Sequence, residues 1–397
     1  MNLKAALLGA LIAALLLVVA CGGGGSVDGS GSSPSAPVPS ANTNGSTSGS
    51  GTVGSTGSSS MGSGNSTGNA SGSATTAQYV AIDLHPSGNI SAHATGGQGI
   101  GDGEQTGSGE IAVNDSVSSH ALLWRGSASS IVDLNPSGSS ASSGALATSG
   151  GVQVGWGDPG PHALKWSGSA ASVVDLHPSG FISSEAHGVR GGQIVGNGTT
   201  QTGALHALLW TGGGIVDLHS SAFRSTAATA TDGSQHVGIG GTPAPVDVEG
   251  DSRGEVRHAV LWTGTANSIV DLTPTGFLEA IATGVGGGQQ VGEGYINSVG
   301  WHALLWNGSA ASFVDLHPAT FLQSWATAVA TGRQVGAGTI QECGCTHALV
   351  WSGTADSVVD LHAFLPAGTR DSQANGIDAS GNIIGTADGH AILWVRQ

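Results

Sequence analysis

Histidine and aspartate recur together in this chain at spacings that place them across a hairpin. In the stretch 162–178, HALKWSGSAASVVDLHP, pairing of the two halves puts Leu164 opposite Asp175 and His162 opposite His177. Two imidazoles on paired strands could hold Zn²⁺ or Cu²⁺, although such a site needs a third or fourth ligand. The alternative is a polar cross-strand ladder, repeated because the whole unit is repeated.

The same register predicts facing histidines in several other hairpins. The candidate metal-binding pairs are His162/His177, His206/His219, His302/His317 and His347/His362. A further pair, His390/His85, forms if the two ends of the repeat meet, whereas His120 faces Asn135 and His258 faces Thr273. A divalent metal is therefore the one cofactor that the sequence suggests.

Two short strands must carry these residues. The first half of each hairpin reads His-Ala-x-x-Trp and the second reads an apolar pair followed by Asp-Leu, bounded by small turn residues. The third copy has a loop shorter by two residues, so that Trp210 faces Ile215 and the two-residue period of a strand is kept. A half-buried Asp needs donors, and we expect them to be the imidazole and indole N–H groups of its own hairpin.

Seven copies of each half are present. The first halves are His120–Trp124, His162–Trp166, His206–Trp210, His258–Trp262, His302–Trp306, His347–Trp351 and His390–Trp394. The second halves are centred on Asp83, Asp133, Asp175, Asp217, Asp271, Asp315 and Asp360. Because repetition signals architecture more than chemistry, we interpret these His, Trp and Asp residues as structural.

A second repeated element precedes each histidine motif, as in AHGVRGGQIVGNG (186–198) and AIATGVGGGQQVGEG (280–294). We interpret it as two further strands with a Gly-rich turn between them, and we assign the repeated Gly-x-Gly runs to turns. Successive histidine motifs are 42, 44, 52, 44, 45 and 43 residues apart. Four strands in about 44 residues is the length of a propeller blade.

The ends of the repeat favour a closed ring. The repeat opens with a lone second half, YVAIDLHP (79–86), and closes with a lone first half, HAILW (390–394). In an open stack these two strands would be unpaired apolar edges, which proteins avoid. The sequence therefore predicts an all-β, seven-bladed β-propeller over residues 78–397, closed by pairing the N-terminal strand with the last blade.

The Gly-rich strand, the His-Ala-hydrophobic-x-Trp motif and the Asp-Leu pair resemble the extracellular HAF repeat family of exported bacterial proteins, over all of residues 78–397. The third motif residue is Leu, Val or Ile where that family usually has Phe, and Asp-Leu-His-Pro stands where Asp-Leu-Gly is usual. The resemblance implies an exported repeat domain and carries no activity. The arrangement of Asp, His and Trp is also similar to the structural polar network of WD-repeat blades.

Residues 1–20 are predicted to be a signal peptide. Lys4 precedes an apolar run, and the sequence VVAC ending at Cys21 is similar to a bacterial lipobox, which implies cleavage before Cys21 and lipidation of its thiol. Gly22 in the next position implies the outer membrane, by similarity to Gram-negative lipoproteins. An uncleaved anchor is the alternative. Residues 21–77 are rich in Gly and Ser and are predicted to be a disordered tether.

Charge and cysteine content limit the partners. The chain has 10 Lys and Arg against 26 Asp and Glu, without a basic stripe, which argues against nucleic acid and acidic lipid headgroups. We expect membrane contact through the lipid anchor only. Cys343 and Cys345 share one loop, and export favours a disulfide between them. A solvent-facing thiol pair or a two-cysteine metal site are the alternatives.

Aromatic residues outside the repeat are candidates for ligand binding. Trp156 and Trp301 are expected in loops before the histidine strand, Tyr295 lies near Trp301, and Trp325 begins the next unit on the same face. Such side chains could stack on sugar rings or peptide groups, or they could fill blade junctions.

An acidic insertion lengthens one unit of the repeat. Within 241–257 the carboxylates are Asp247, Glu249, Asp251 and Glu255, which could bind Ca²⁺ through oxygen ligands. The spacing of a calcium loop is absent, so a solvated acidic loop is the alternative.

The sequence favours a surface-tethered lipoprotein whose propeller is a non-catalytic binding or scaffold module for an envelope or extracellular carbohydrate or protein. The rival is an exported metal-dependent polysaccharide lyase or hydrolase, which would need acid–base groups near the propeller axis. His93, His187 and His236 are scattered candidates for that role.

Overall fold

The computed structural model describes residues 79–86, 92–113, 116–136, 141–245 and 254–397. In these residues the strands form seven antiparallel sheets of four strands each, arranged as blades around a ring. The predicted seven-bladed β-propeller is confirmed. The predicted signal peptide, the lipidated Cys21 and the tether lie outside the described residues. No helix in the described ranges is long and apolar enough to span a membrane.

The strands are named in chain order, and each blade is given from the axis outwards. Blade 1 contains β2 (Ala92–Gly101), β3 (Glu104–Val113), β4 (Ser116–Trp124) and β5 (Val132–Asp133); blade 2 contains β6 (Ser143–Ser149), β7 (Val152–Gly157), β8 (His162–Trp166) and β9 (Val174–Asp175). Blade 3 contains β10 (Phe181–Arg190), β11 (Gln193–Thr200), β12 (Leu205–Thr211) and β13 (Gly214–Asp217); blade 4 contains β14 (Ser225–Thr231), β15 (His236–Pro243), β16 (Glu255–Trp262) and β17 (Val270–Asp271). Blade 5 contains β18 (Glu279–Gly286), β19 (Gln289–Ile296), β20 (Gly300–Trp306) and β21 (Val314–Asp315); blade 6 contains β22 (Phe321–Ala330), β23 (Arg333–Ile340), β24 (Thr346–Trp351) and β25 (Val359–Asp360). Blade 7 contains β26 (Ser372–Ile377), β27 (Ile383–Ala387), β28 (His390–Arg396) and β1 (Tyr79–Asp83).

The ring closes as the sequence predicts. Strand β1 is the outer strand of blade 7 and pairs antiparallel with β28, from Tyr79 opposite Arg396 to Asp83 opposite Ile392. The first described strand and the last strand therefore complete one sheet, and neither is left as an apolar edge.

The predicted hairpin register is also confirmed. Leu164 lies opposite Asp175 in blade 2, and Trp210 lies opposite Ile215 in the shorter hairpin of blade 3. Most outer strands contain only two paired residues and follow a short 3-10 turn. These turns are Ala128–Ser130, Ala170–Ser172, Ala266–Ser268, Ala310–Ser312 and Ala355–Ser357, and a sixth, Leu361–Phe364, follows β25.

The assignment of the Gly-x-Gly runs to turns is wrong. These glycines lie inside the second strand of each blade, opposite a β-bulge in the inner strand, as at Gly336 opposite Ala326. The bulge turns a carbonyl towards the glycine, so a Cβ on Gly336 would lie 2.0 Å from the Trp325 carbonyl oxygen. The Gly-Gly pair that precedes the run in blades 2, 3 and 5 does form the turn, and in blade 3 Gly191 and Gly192 have φ of 58° and 76°.

The repeated tryptophans fill the junctions between blades. Trp306 of blade 5 is fully buried and packs against Val237 and Leu261 of blade 4. The expected hydrogen bond from the indole to the Asp of the same hairpin is not formed. Instead, Trp210 and Trp394 donate to the Leu carbonyls of the preceding blade. The indole N–H groups of Trp124, Trp166, Trp262, Trp306 and Trp351 are buried without a hydrogen-bond partner in the described ranges.

Candidate functional site

In every blade a histidine of the third strand is hydrogen-bonded to the Asp of the outer strand. The distances from Nδ1 to the carboxylate oxygen are 2.7–2.9 Å. Because a carboxylate only accepts, Nδ1 donates. In blade 2 the second oxygen of Asp175 accepts the backbone N–H of His177 at 2.8 Å. All described copies of the Asp therefore have a structural partner, as the sequence predicts for the imidazole.

Five blades stack the two predicted histidines face to face. The ring centroids are 3.9–4.0 Å apart and the ring planes lie within 4–16° of parallel. Burial, and then the charge of the neighbouring imidazole, lowers the pKa of the second histidine in four stacks. These four are His85, His177, His219 and His317. In these four stacks the second histidine is therefore harder to protonate than a free imidazole.

A hydroxyl from the next blade completes this network. Ser184, in the inner strand of blade 3, lies 2.9 Å from Nδ1 of His177 and accepts the Ala163 backbone N–H of blade 2 at 3.0 Å. Thr226, Ser324 and Ser372 make the same two contacts at their junctions. We call the His, Asp, second His and Ser or Thr of one junction the blade clamp. It joins successive blades.

The blade clamp is poorly arranged for metal binding. No group of three or more His, Cys, Asp or Glu side chains that could hold a metal occurs among the described residues. Within a stack the ring planes are nearly parallel, whereas in-plane lone pairs that bind one ion must converge on it. Metal binding by the paired histidines stays a prediction, and it would require the rings to tilt apart.

The pair in blade 6 is stacked as predicted, with ring centroids 3.9 Å apart. As in the other blades, the outer strand ends at the Asp, and here His362 lies in the 3-10 turn Leu361–Phe364 that follows it. Both of its ring nitrogens are engaged. Nε2 donates to the Thr369 carbonyl oxygen at 3.1 Å, so Nδ1 of the neutral ring accepts from the Ser372 hydroxyl at 2.8 Å. Metal binding through either nitrogen would have to replace one of these hydrogen bonds, and the role of metal ligand for His362 stays a prediction.

A cavity of about 950 Å³ runs along the propeller axis. The bulged residue of every inner strand lines it, and we call these seven residues the bulge ring. They are Gln98, Leu146, His187, Thr229, Thr283, Thr327 and Asn375. A cavity of this size is typical of a small-ligand site.

Four members of the bulge ring serve the architecture. Thr229, Thr283 and Thr327 each donate to a backbone carbonyl of the next inner strand at 2.7–2.8 Å. Asn375 donates in the same way to the carbonyl oxygen of Gly97 in blade 1, at 2.7 Å. These four side chains are therefore held in place by neighbouring blades.

The bulge ring departs from this pattern on blades 1 to 3. Gln98 and Leu146 make no such bond to the next blade in the described structure. The imidazole of His187 instead lies with Nε2 3.4 Å from Glu185, a carboxylate in the same strand that is 4% exposed. Neither atom has a hydrogen bond of good geometry within the described ranges. Blade 3 thus places an acid–base pair in the channel wall.

The cavity also widens on one side. On blades 1, 2, 6 and 7 only inner-strand residues and the residues next to them line it, whereas on blades 3 to 5 second and third strands contribute as well. We call these contributors the side recess: Leu205, Ile239, Gly241, Glu255, Arg257 and Glu293. The recess coincides with the unit whose motif spacing is 52 residues, so the longest repeat borders the most open part of the channel.

The charges of the side recess are unequal. Arg257 donates through Nε and Nη2 to one oxygen of Glu279, at 2.9 and 2.5 Å, and its guanidinium lies 5.2 Å from the centre of the Trp301 ring. Glu293 has no hydrogen bond in the described ranges. Burial raises its pKa to about 7, the charge of Arg257 opposes this rise, and the charge of Glu279 adds to it. The recess therefore holds a carboxyl that is poised to change charge near neutral pH.

The predicted aromatic candidates are only partly brought together. Tyr295 and Trp301 are in contact, with ring centroids 5.3 Å apart, beside Arg257 in blade 5. Trp156 lies in blade 2, across Gly144, and is not part of this group. The expected loop positions of Trp156 and Trp301 are wrong, because both lie in strands. Trp325 is 6% exposed in an inner strand, so the structure does not present it to a ligand on the propeller face.

The other predicted sites are dispersed. Asp247, Glu249 and Asp251 lie outside the described residues, whereas Glu255 begins β16 and accepts a hydrogen bond from Ser225 at 2.5 Å. A disulfide joins Cys343 and Cys345 in a loop of blade 6.

The three scattered histidines have different surroundings. His187 lines the channel, as described above. His236 is buried beside Thr231, with 2.8 Å between Nδ1 and the hydroxyl, and burial lowers its pKa. His93 lies in β2, and the structure does not describe its side chain. Of the two whose side chains the structure describes, only His187 therefore lies where an acid–base group near the axis would be needed.

Glu185, Arg257, Glu279 and Glu293 were not anticipated from the sequence. One signal could have found Glu293. The middle residue of Gly-x-Gly differs in every unit while its flanking residues repeat, and this position holds Trp156, Asn197 and Glu293 in blades 2, 3 and 5. A variable residue inside a fixed frame is a candidate for binding.

Solved structures with a similar fold are known at low sequence identity. A puromycin-hydrolyzing peptidase of Mycobacterium tuberculosis matches at 12% identity and a TM-score of 0.52, over 80% of this chain and 54% of that one. An acylaminoacyl peptidase of Pyrococcus horikoshii matches at 11% identity and a TM-score of 0.50, over 77% and 52%. This chain spans about half the length of these proteins. The likeness is one of fold alone.

No protein-family model and no curated protein matches the sequence. What the structure itself defines is a seven-bladed β-propeller with an asymmetric axial cavity.

Proposed function

We propose that residues 79–397 are a non-catalytic binding module that takes its ligand in the axial channel and side recess. The observation that carries this proposal is the asymmetry of the channel. The polar side chains of the blade clamp are used to join blades, whereas Glu293, Arg257 and His187 line the cavity on the side where the repeat pattern fails. Concave sites with a few placed polar groups are typical of ligand binding.

We further propose that a lipid on Cys21 holds this module at the cell envelope, with 21–77 as a tether. The support is the lipobox-like sequence and the resemblance to HAF repeats. Radiolabelled palmitate that enters the wild-type protein but not a Cys21→Ser variant is the expected result. Equal labelling of the two proteins would contradict lipidation at this residue.

The binding proposal is tested with the full chain purified in detergent and immobilised. Envelope glycans and peptides are passed over it, and retained molecules are identified by mass spectrometry. An Ile239→Trp variant, which fills the recess, is expected to lose the retained ligand. Val270→Trp places the same ring on the exposed outer strand of the same blade and is expected to keep it. Retention by neither protein, or by both, would contradict a site in the recess.

A second candidate function is an exported polysaccharide hydrolase or lyase. The observation that favours it is the Glu185–His187 pair in the channel wall, where the two side chains lie 3.4 Å apart, because imidazole and carboxylate groups are common general bases. The expected result for this candidate is turnover of an envelope polysaccharide that is lost in His187→Gln. Turnover that also requires a divalent metal would support the metal-dependent form.

A further inference from the structure

Carboxylates of blades 4 and 5 and the guanidinium of Arg257 meet at the side recess. Glu279 accepts two hydrogen bonds from Arg257, and the charge of Arg257 also acts on Glu293. Glu255 also lines the recess, accepts a hydrogen bond from Ser225 and lies 3.7 Å from Arg224. In the described structure Glu293 thus shares one nearby guanidinium, that of Arg257, with a second carboxylate, Glu279.

The cation that is present is already engaged. Two nitrogens of Arg257 donate to the same oxygen of Glu279, and the guanidinium plane is near Trp301. A guanidinium that is held bidentately and stacked on an aromatic ring has little freedom to turn towards a third group. Glu293 is thus left without a hydrogen-bond donor in the described structure.

Part of the recess wall is apolar. Leu205 and Ile239 line it, and Gly241 leaves the space in which the Ser225 hydroxyl meets Glu255. An aliphatic chain is compatible with these walls, because burial of apolar surface on both partners is favourable. A carboxylate at the end of such a chain would be repelled by Glu293 in its ionised form.

From these observations we infer that the side recess binds the ammonium group of an aliphatic amine, with Glu293 as the counter-ion and Leu205 and Ile239 around the alkyl chain. This inference rests on the proposed binding function and names its ligand class. A neutral sugar would leave Glu293 without a positive charge, and a bare divalent cation lacks the group of three ligands that it needs among the described residues.

The probe is n-pentylammonium, added to the full chain in detergent and followed by isothermal titration calorimetry at pH 8. We expect saturable binding that is at least about tenfold tighter than that of 1-pentanol, which has the same chain and no charge. Glu293→Gln should weaken amine binding by about tenfold or more while keeping the melting temperature. The matched control is Glu342→Gln, which removes a carboxylate from an exposed loop of blade 6 and should bind like the wild type.

The pH dependence gives an independent readout. The groups that act on Glu293 are Arg257 of β16 and Glu279 of β18, and the resulting pKa is about 7. Since the ionised carboxylate is the binding form, wild-type affinity should fall about tenfold from pH 8 to pH 6, while an alkylammonium stays protonated throughout. In Glu293→Gln this pH dependence should be absent.

A second probe distinguishes two sources of the same ammonium group. Nα-acetyl-lysine methylamide that binds at least as well as pentylammonium supports a lysine side chain of a peptide as the ligand. Binding of pentylammonium alone supports a free amine. Two results would overturn the amine inference: equal binding of pentanol and pentylammonium, or no binding of any probe. The proposed function would stand in either case if the wild type still retained an envelope ligand that the Ile239→Trp variant loses.

Discussion

The same seven blades carry two concentric sets of polar residues with opposite characters. The blade clamp, halfway out along each blade, repeats its His–Asp hydrogen bond in every copy at 2.7–2.9 Å. The bulge ring, at the axis, holds five residue types in its seven positions and is hydrogen-bonded to the next blade at four of them. The residues that hold the blades together are therefore the same in each blade, whereas the residues that face the channel differ.

This contrast has a physical basis. Each blade must bury an apolar face against two neighbours, so the residues between blades meet the same requirement seven times. The bulge ring faces the cavity, and only four of its seven side chains are hydrogen-bonded to a neighbouring blade. A substitution in the clamp should therefore change stability and leave binding intact, while a substitution in the side recess should do the reverse.

The largest effect is expected at a repeated glycine. In Gly336→Ala the new Cβ would lie 2.0 Å from the Trp325 carbonyl oxygen, and the obstacle is backbone that cannot turn away. We expect destabilisation of roughly 3 kcal/mol or more, since the two inner strands must separate. Thermal unfolding followed by tryptophan fluorescence measures it.

Gly212→Ala is the matched control for this substitution. Gly212 lies in the hairpin loop of blade 3, and a Cβ there has no neighbour within 4 Å. Its melting temperature should equal that of the wild type. Equal melting of Gly336→Ala and Gly212→Ala would mean that the bulge is not the reason for the repeated glycine.

The next largest effect is expected in the blade clamp. Ser324→Ala removes the hydroxyl that accepts the Ala303 backbone N–H at 3.0 Å and lies 2.8 Å from Nδ1 of His317. Because both groups would lose a partner between blades 5 and 6, we expect a loss of about 1–3 kcal/mol. Urea unfolding gives the value.

The reciprocal substitution sharpens this prediction. Ala280 is buried where the other clamp junctions of blades 2 to 6 have a hydroxyl. Ala280→Ser should be neutral or stabilising by up to about 1 kcal/mol, because it supplies the missing hydroxyl. Ligand binding should be unchanged in Ser324→Ala. If Ser324→Ala unfolds at the same urea concentration as the wild type but no longer binds the ligand, the blade clamp would serve binding and not stability, against this prediction.

The stacked histidines should make stability depend on pH. The pKa of His85, His177, His219 and His317 is lower in the folded protein than the ordinary value of 6.5. The unfolded chain therefore takes up protons first, so the stability that these groups contribute is present above pH 6.5 and is lost as pH falls through their folded pKa values. We expect the melting temperature to fall between pH 7.5 and pH 5.

A second, more acidic loss of stability is expected from the clamp carboxylates. Burial disfavours the charge of Asp315, but hydrogen bonds from His302 and from the His317 backbone outweigh it and lower its pKa below 3.8. Its contribution is lost only as pH falls through that lower value. His317→Asn, which copies Asn135 of blade 1, should remove part of the first transition and leave this one. An unchanged pH profile in that variant would contradict the role of the stack.

The sequence was sufficient for the fold because the fold depends on repeated, local and periodic signals. The two-residue period of the strands fixed the pairing of Leu164 with Asp175. The unpaired halves at 79–86 and 390–394 required ring closure. The Gly-x-Gly runs were misplaced, since a glycine opposite a bulge carbonyl has the same sequence appearance as a glycine in a turn. The same register placed His362 beside His347, although the 3-10 turn that follows Asp360 in blade 6 has no counterpart in the repeat and was not predicted.

The site could be predicted far less well. Glu293 and Arg257 belong to different blades, and their proximity depends on how the long β15–β16 hairpin approaches blade 5. Aromatic residues outside the repeat drew attention to Trp301, but Trp325 has the same sequence character and is buried. Contacts between units that differ from one another leave no period to detect, so only the structure joins them.

The smallest effect on stability, and the sharpest test of the contrast, is expected at His187. In blade 4 the equivalent inner residues are Ala227 and Thr229, and the Thr229 hydroxyl donates to the next blade at 2.7 Å. The double variant Glu185→Ala/His187→Thr transfers this arrangement to blade 3. It should add one inter-blade hydrogen bond and remove a buried acid–base pair, so stability should stay equal or rise by about 1 kcal/mol.

Retention of the envelope ligand should weaken at the same time, because the polar group that faced the channel is gone. If the double variant has a lower melting temperature and retains the ligand as the wild type does, Glu185 and His187 are structural residues. Glu293 and Arg257 would then be the channel residues that bind the ligand.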